Sequence, residues 1–205
     1  MKITLHRGDI PSDIDFGDSV AIDTEAMGLN HIRDRLCVVQ LSAGDGTAHV
    51  VQLKADEYDA PNLKKLLTDP KVLKIFHFGR FDIAAMWMYL DVITAPVYCT
   101  KIASKMARTF TNHHSLKTLC KNLLDIDTSK QQQCTDWGAD ELSEKQVQYA
   151  ASDVLYLHQI KEELDKMLIR EERMELTQAC FDFLPARSLM DVAGWGEVDI
   201  FAHSS

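Results

Sequence analysis

Apolar residues fall in short runs through the first half of the chain and recur at helical intervals through the second. Ser19 to Asp23 (SVAID) reads as a buried β-strand, Leu36 to Leu41 (LCVVQL) as a second, and Ala48 to Leu53 (AHVVQL) as a third. Between the last two, Ser42 to Thr47 (SAGDGT) has Asp-Gly turn chemistry, which predicts a three-stranded antiparallel meander. Asn62 to Leu67 reads as a short helix entered at Pro61 and ended before Pro70. Lys74 to Phe78 (KIFHF) is a further strand, and past Gly79 the spacing predicts a helix over Phe81 to Tyr89. Val97 to Cys99 has the length of a short edge strand. From Thr100 the pattern turns helical: Lys101 to Phe110, Ser115 to Leu124, then Ser143 to Lys166 and onward through Arg173. Strands first and helices after, with one early crossover, predict an α/β fold with a mixed sheet flanked by helices. The last large apolar residues, Phe181 to Leu184, Trp195, Ile200 and Phe201, lie in a stretch that reads as too broken for a long helix. They suit either the chain's own core or a neighbouring subunit.

No repeat, low-complexity tract or linker divides the 205 residues, so one domain over 1–205 is expected, long enough to bury a core without cross-links. The N-terminus, MKITLHRGDI, lacks the apolar stretch of a signal peptide, and no window approaches a membrane span; a cytoplasmic protein without a membrane partner is expected. Five cysteines without a CxxC pair predict reduced, mostly buried thiols rather than a zinc site. A net charge of −9 argues at first against a nucleic-acid partner, but metal ions on a carboxylate cluster reverse the local field. The charge is also uneven. Thr100 to Leu124 holds Lys101, Lys105, Arg108, Lys117 and Lys121 with no acid, which suits a small anionic ligand.

Four carboxylates and a tyrosine carry the chemistry. Asp23 and Glu25, in VAIDTEAMGL, are two apart at a strand end, so period-two alternation puts both on one sheet face. Unpaired charge is expensive at such a buried edge. Asp82 sits in the first turn of a predicted helix, where the helix dipole alone also explains an acid. Tyr149 and Asp153, in YAASDVLYL, are four apart in a predicted helix and share one face beside the small Ala150, Ala151 and Ser152. Each has a plain structural explanation: a polar strand end with Thr24 beginning a turn, a helix-start acid, a boundary tyrosine. Together they form an all-oxygen cage for two divalent cations, Mg2+ or Mn2+, with a tyrosine placed to handle water.

Asp-x-Glu after a first strand, Asp at the next strand-to-helix junction and Tyr-x-x-x-Asp on a late helix occur here in a telling order. In this the chain resembles the DEDDy group of 3′–5′ exonucleases, the RNase D-like branch of the DnaQ/RNase H-like fold. The strings DRLCVVQLS, GDGTA, KIFHFGRFD, CTKIASK, SKQQQ and YAASDVLYLH, with the tail GWGEVDIFAHS, are similar to the nanoRNase C family from about His6 to the C-terminus. Ala26-Met27 departs from the Thr-Leu expected there and leaves the acids intact. The resemblance implies one catalytic domain without the helical nucleic-acid-binding modules of full RNase D, in keeping with the about 50 residues after Asp153. It also implies degradation of very short RNA, dinucleotides especially, to mononucleotides. Ring-like homo-oligomers, an octamer among them, are implied too, with the apolar tail at about 180–205 as a candidate contact.

Within that resemblance Asp23 bridges two ions, Glu25 and Asp153 complete the one that activates water, Asp82 holds the second, and Tyr149 orients the water. Leu29 is a candidate wedge between the last two bases, or a turn leucine closing the core. His77, Phe78 and Arg80 suit base and phosphate contacts, or a core histidine and a helix-cap arginine. Lys101, Ser104, Lys105 and Arg108, three to four apart, form one basic helix face that is solvated, meets a 5′-phosphate or joins subunits. Lys130 and Gln132 in SKQQQ, ahead of Asp136-Trp137, approach the phosphate or cap the next helix. The alternatives are a broader RNase D-like exonuclease on structured RNA or single-stranded DNA, and a catalytically silent RNA-binding scaffold. The presence of all five site residues weighs against the scaffold.

Overall fold

Lys2–Arg7 (β1), Ser19–Ala26 (β2), Leu36–Ser42 (β3), Thr47–Gln52 (β4), Leu73–Phe76 (β5) and Val97–Cys99 (β6) are the strands of the computed structural model, which describes residues 2–128 and 136–203. They form one sheet in the order β1-β4-β3-β2-β5-β6. The expected meander is present: β2 pairs antiparallel with β3 and β3 with β4. The other three pairings are parallel, β1 with β4, β2 with β5 and β5 with β6. Every residue of β3 is buried, the mark of a central strand covered on both faces. Edge strand β1 was not expected, although Ile3 and Leu5 alternate with polar residues in the strand period.

The helices are Pro61–Thr68 (α1), Arg80–Leu90 (α2), Thr100–Ala107 (α3), Leu116–Leu124 (α4), Glu144–Ser152 (α5), Leu157–Arg170 (α6) and Met174–Met190 (α7). The core joins Val20, Ile22, Val39, Leu41 and Val51 of the sheet to Ile83 and Met86 of α2 and to Ile160 and Leu164 of α6.

Two helical expectations are corrected. The stretch from Ser143 to Arg173 is not continuous but breaks after Ser152. There the Ser152 hydroxyl donates to the Tyr149 carbonyl at 2.5 Å, capturing an acceptor of the last turn, a local bond that bends or ends helices. Conversely, the C-terminal stretch is not too broken for a long helix. The 17 residues of α7 run straight through Pro185, and α7 packs on α2 and α3. Phe181 and Leu184 are buried there, and that tertiary packing outweighs the amide hydrogen bond Pro185 cannot make. A π-helical turn follows at Asp191–Trp195. Among the described residues no helix is long and apolar enough to cross a membrane. Cys37, Cys99 and Cys120 are buried free thiols, and Cys180 is a half-buried one.

Candidate active site

Strand β2 runs on past Asp23 to Ala26, so Thr24 is a buried strand residue rather than the start of a turn. β5 pairs with β2 only along Ser19–Ala21, then leaves through His77, Phe78 and Gly79 into α2. Asp23 and Glu25 therefore lie beyond the carboxyl end of the parallel pair, where β2 stays paired with β3 but hydrogen bonding to β5 stops and a crevice opens. Alternation sends both to one face, as the spacing predicts. Asp153, at the C-terminal cap of α5, meets them there: one oxygen each of Asp23, Glu25 and Asp153 lies within 4.8 Å of the others. Thr24 points the opposite way, and its hydroxyl donates to Oδ1 of the buried Asp82 at 2.6 Å. A threonine between the two acids thus fixes the fourth carboxylate across the crevice, a role the sequence did not disclose.

The electrostatics of the cluster suit a bound positive charge. Burial raises the pKa of Asp23 well above the usual carboxylate range, and the neighbouring charges of Asp82, Asp153 and Glu25 add to it. Burial, then Asp153 and Asp82, push Glu25 up to about 8. Burial raises Asp82 to about 7, against the opposing hydrogen bond from Thr24. Asp153 is raised to about 7 by burial, and a hydrogen bond with Tyr149 opposes that rise. No lysine or arginine forms an ion pair with any of the four among the described residues. An all-carboxylate set this crowded fits a hard divalent cation and would be costly without one.

The Tyr149 ring also packs near Trp137, with centroids 6.1 Å apart. Ser143 and Gln146 form a capping box at the start of α5, and Gln146 Nε2 donates to the Asp136 carbonyl. Arg35 and Gln52 hold the carbonyls of Gly138 and Ala139 against the sheet. Asp136 and Trp137 are thereby brought to the cleft mouth.

The cleft, about 490 Å³, runs from the carboxylates past Met27, Gly28, Leu29, His77, Phe78 and Phe81. Leu29 does not close the core, because 85% of it is exposed at the mouth. Its loop is braced by Asp34, which accepts from the Asn30 amide and fills the space a β-carbon on Gly28 would need. Phe78 sits opposite in the left-handed region at φ 68°, half exposed, with Lys101 Nζ 4.4 Å from its ring centroid. A bulky residue held at positive φ beside a cleft is stored strain of the kind found at functional sites.

Contacts around His77 favour one tautomer. With the Thr100 hydroxyl donating to the Phe76 carbonyl, its 2.9 Å contact with His77 Nδ1 is satisfied when Nδ1 carries the proton. Nε2 is then an acceptor. Burial, with the charges of Lys101 and His114, lowers the imidazole pKa to about 3 and keeps it neutral.

The remaining candidates are dispersed. The Arg80 guanidinium is committed to both oxygens of Asp191 and to the Gly196 carbonyl, and Arg187 shares both partners. It braces the C-terminal turn and does not reach toward the carboxylates. The expected basic face of α3 is only partly solvated. Ser104 is buried against His114, and Arg108, past the end of α3, is 3% exposed and donates to Ser104 Oγ and the His113 carbonyl. Lys130 and Gln132 lie outside the described residues.

Residues 10–169 match the model of a 3′-5′ exonuclease family. A structure of Brucella melitensis NrnC with bound Mg2+ is 54% identical, covers the whole of both chains and superposes with a TM-score of 0.95. The same Brucella protein bound to pGG, also at 54% identity and full coverage, superposes with a TM-score of 0.96. A ribonuclease D of Granulibacter bethesdensis is 36% identical over 155 residues, which are 76% of this chain and 39% of that protein. The chain thus spans about two fifths of the length of this ribonuclease D and of those of Acidiphilium cryptum and Gluconacetobacter diazotrophicus. With the exonuclease match across most of its length and the NrnC likeness across all of it, the chain belongs to the RNase D-like 3′–5′ exonucleases, in their NrnC branch.

Proposed function

We propose that this chain hydrolyses very short RNA, dinucleotides above all, from the 3′ end in the cytoplasm, releasing nucleoside 5′-monophosphates with the aid of two divalent cations. The observation that carries this reading is the convergence of Asp23, Glu25 and Asp153 within 4.8 Å, on a cleft of about 490 Å³. That volume lies in the small-ligand range of ~300–1,000 Å³. The NrnC relative with pGG bound supports the substrate length, and the one with Mg2+ supports the metal.

Asp23, Glu25 and Asp153 would hold one ion, and Asp23 with Asp82 the other. Mg2+ or Mn2+ held there would supply charge neutralisation at the phosphate and a more acidic water. Tyr149, anchored by Asp153, takes a hydrogen bond position toward the attacking water and aligns it with phosphorus. A phenol is neutral near pH 7, so its part is orientation. Attack forms a new P–O bond, the P–O3′ bond breaks, and the leaving 3′-oxygen ends protonated. Thr24 holds Asp82 in place throughout.

Leu29 offers an apolar edge between two bases, and Phe78 a stacking face stiffened by Lys101. His77 is not a phosphate ligand on this reading, because a neutral acceptor nitrogen reads a donor such as a ribose hydroxyl. Lys101 and Lys105 remain available to a 5′-phosphate, whereas Arg108 and Ser104 would act from beneath them. Lys130 and Gln132 keep their proposed approach to the phosphate.

A homo-oligomeric ring is part of the proposal. Phe183, Ile200 and Phe201 stay exposed around an apolar groove near α7, and Trp195 is exposed as well, although Phe181 and Leu184 are buried. Light scattering on the purified protein tests it, and a monomeric active species sinks the ring. Relative rates on 5′-labelled RNA of two to about twenty nucleotides test the substrate. Fastest turnover of the longest strands favours a broader RNase D-like exonuclease, and no turnover of any length favours a silent RNA-binding scaffold.

A further inference from the structure

Gln40, in the middle of β3, is fully buried, and among the described residues neither its amide nitrogen nor its amide oxygen has a hydrogen-bond partner. Buried side-chain amides are nearly always paired, and each group left unpaired costs about 1–3 kcal/mol. An apolar residue at this place would be cheaper unless the amide has work to do.

Sheet register says where that work lies. Gln40 stands directly across from Asp23 on β2. Directly opposed residues of an antiparallel pair project to the same face, with Cβ atoms roughly 5 Å apart. Glu25 shares that face two residues on, and α5, which carries Tyr149 and ends at Asp153, packs over β3. Among the described residues, its other neighbours in the sheet supply no alternative partner. Val50 faces Gln40 from β4, Val38 precedes it on its own face, and the Ser42 hydroxyl that follows is committed to the Thr47 carbonyl. One buried, unspent donor therefore lies a single cross-strand step inward from the carboxylate cage.

We infer that Gln40 is a positioning residue for Asp23: its amide N–H donates to the Asp23 carboxylate in the metal-loaded enzyme and sets which oxygen lone pairs face the cations. The inference rests on the reading of Asp23 as a metal ligand. A hydrogen bond to an ionised carboxylate is about twice as strong as a neutral one, enough to fix the rotamer of a short side chain. Outer groups that orient metal ligands change metal affinity by about 10–100-fold when removed.

The test uses Mn2+ as probe on the full-length protein without substrate, with free Mn2+ read by electron paramagnetic resonance. Gln40→Met keeps the volume and removes both polar atoms. It is expected to melt at or above the wild-type temperature in EDTA, while its Mn2+ affinity falls at least about 10-fold. Its dinucleotide turnover is expected to recover at raised Mg2+. Binding of Mn2+ within about two-fold of wild type overturns the inference, since a structural or water-satisfied amide would leave affinity untouched. Wild-type protein that binds no Mn2+ overturns the metal-site reading itself, so the two failures are distinct. Should Gln40→Met not fold, the side-chain 15N–1H resonances of Gln40 in wild-type protein decide. They are expected to shift and gain exchange protection on adding Mg2+, and unchanged resonances overturn the inference.

Discussion

Glu25→Gln separates the demands of the site from those of the fold. Glu25 is raised from 4.5 to about 8 by burial and by Asp153 and Asp82. For an acid raised on folding, the folded state is unpenalised below the unfolded pKa and loses stability as pH climbs through the folded value. The window is pH 4.5 to about 8. At about 1.4 kcal/mol per unit, the shift taken alone sets a ceiling of about 5 kcal/mol above that window. The repulsion is shared among four carboxylates, and the cleft admits water, so about 1–3 kcal/mol is the working figure. In a protein of this size that is a rise in Tm of roughly 3–10 °C for the variant. The assay is thermal unfolding in EDTA at pH 5 and pH 8, wild type against Glu25→Gln. The variant gains little at pH 5 and the full amount at pH 8. With saturating Mg2+ the order reverses, because the wild type binds the cation more tightly and is stabilised in proportion. A variant less stable than wild type at pH 8 in EDTA would refute the claim that the cage is strained without its ions.

Four further outcomes follow. Asp23→Ala abolishes hydrolysis of a dinucleotide in Mg2+, measured as mononucleotide release, while circular dichroism stays native. Thr24→Val removes the hydrogen bond to Asp82 and lowers turnover about 10-fold or more through that carboxylate, at nearly unchanged shape; unchanged turnover would show that Asp82 needs no such anchor. Leu29→Ala raises the KM for dinucleotides several-fold with stability unchanged, since 85% of the side chain is already exposed; a drop in Tm of several degrees would instead make it a core residue. Lys74→Met tests the one fully buried lysine among the described residues, whose Nζ donates to the Asp69 and Ala95 carbonyls and whose pKa burial lowers to about 8. Loss of both bonds outweighs the relief of burying a charge, and chemical denaturation should show a loss of about 1–3 kcal/mol.

What could be read from the chain depended on range. The meander and the shared face of Asp23 and Glu25 follow from period-two alternation, and the joint placement of Tyr149 and Asp153 from a four-residue spacing; both are local geometry. Edge strand β1 was missed because its partner β4 is about 45 residues away and its own alternation is weak. The break after Ser152 turns on one hydroxyl, which helix periodicity does not register. Arg80 reads as a phosphate ligand beside Asp82 until Asp191, 111 residues on, takes its guanidinium. Thr24 and Gln40 have no signal as site residues at all. Only the register of β2 against β3 and the arrival of α2 at the end of β2 show what they face.

On the proposed reading, four carboxylates and Tyr149 form a metal-dependent exonuclease site for very short RNA. Its most direct test is mononucleotide release from a 5′-phosphorylated RNA dinucleotide in Mg2+, by wild type and Tyr149→Phe side by side with a longer oligonucleotide. Wild type is expected to clear the dinucleotide fastest, EDTA to stop it, and Tyr149→Phe to lower turnover about 100-fold or more with the fold intact. Near-wild-type turnover by Tyr149→Phe, or activity undiminished in EDTA, would contradict that reading.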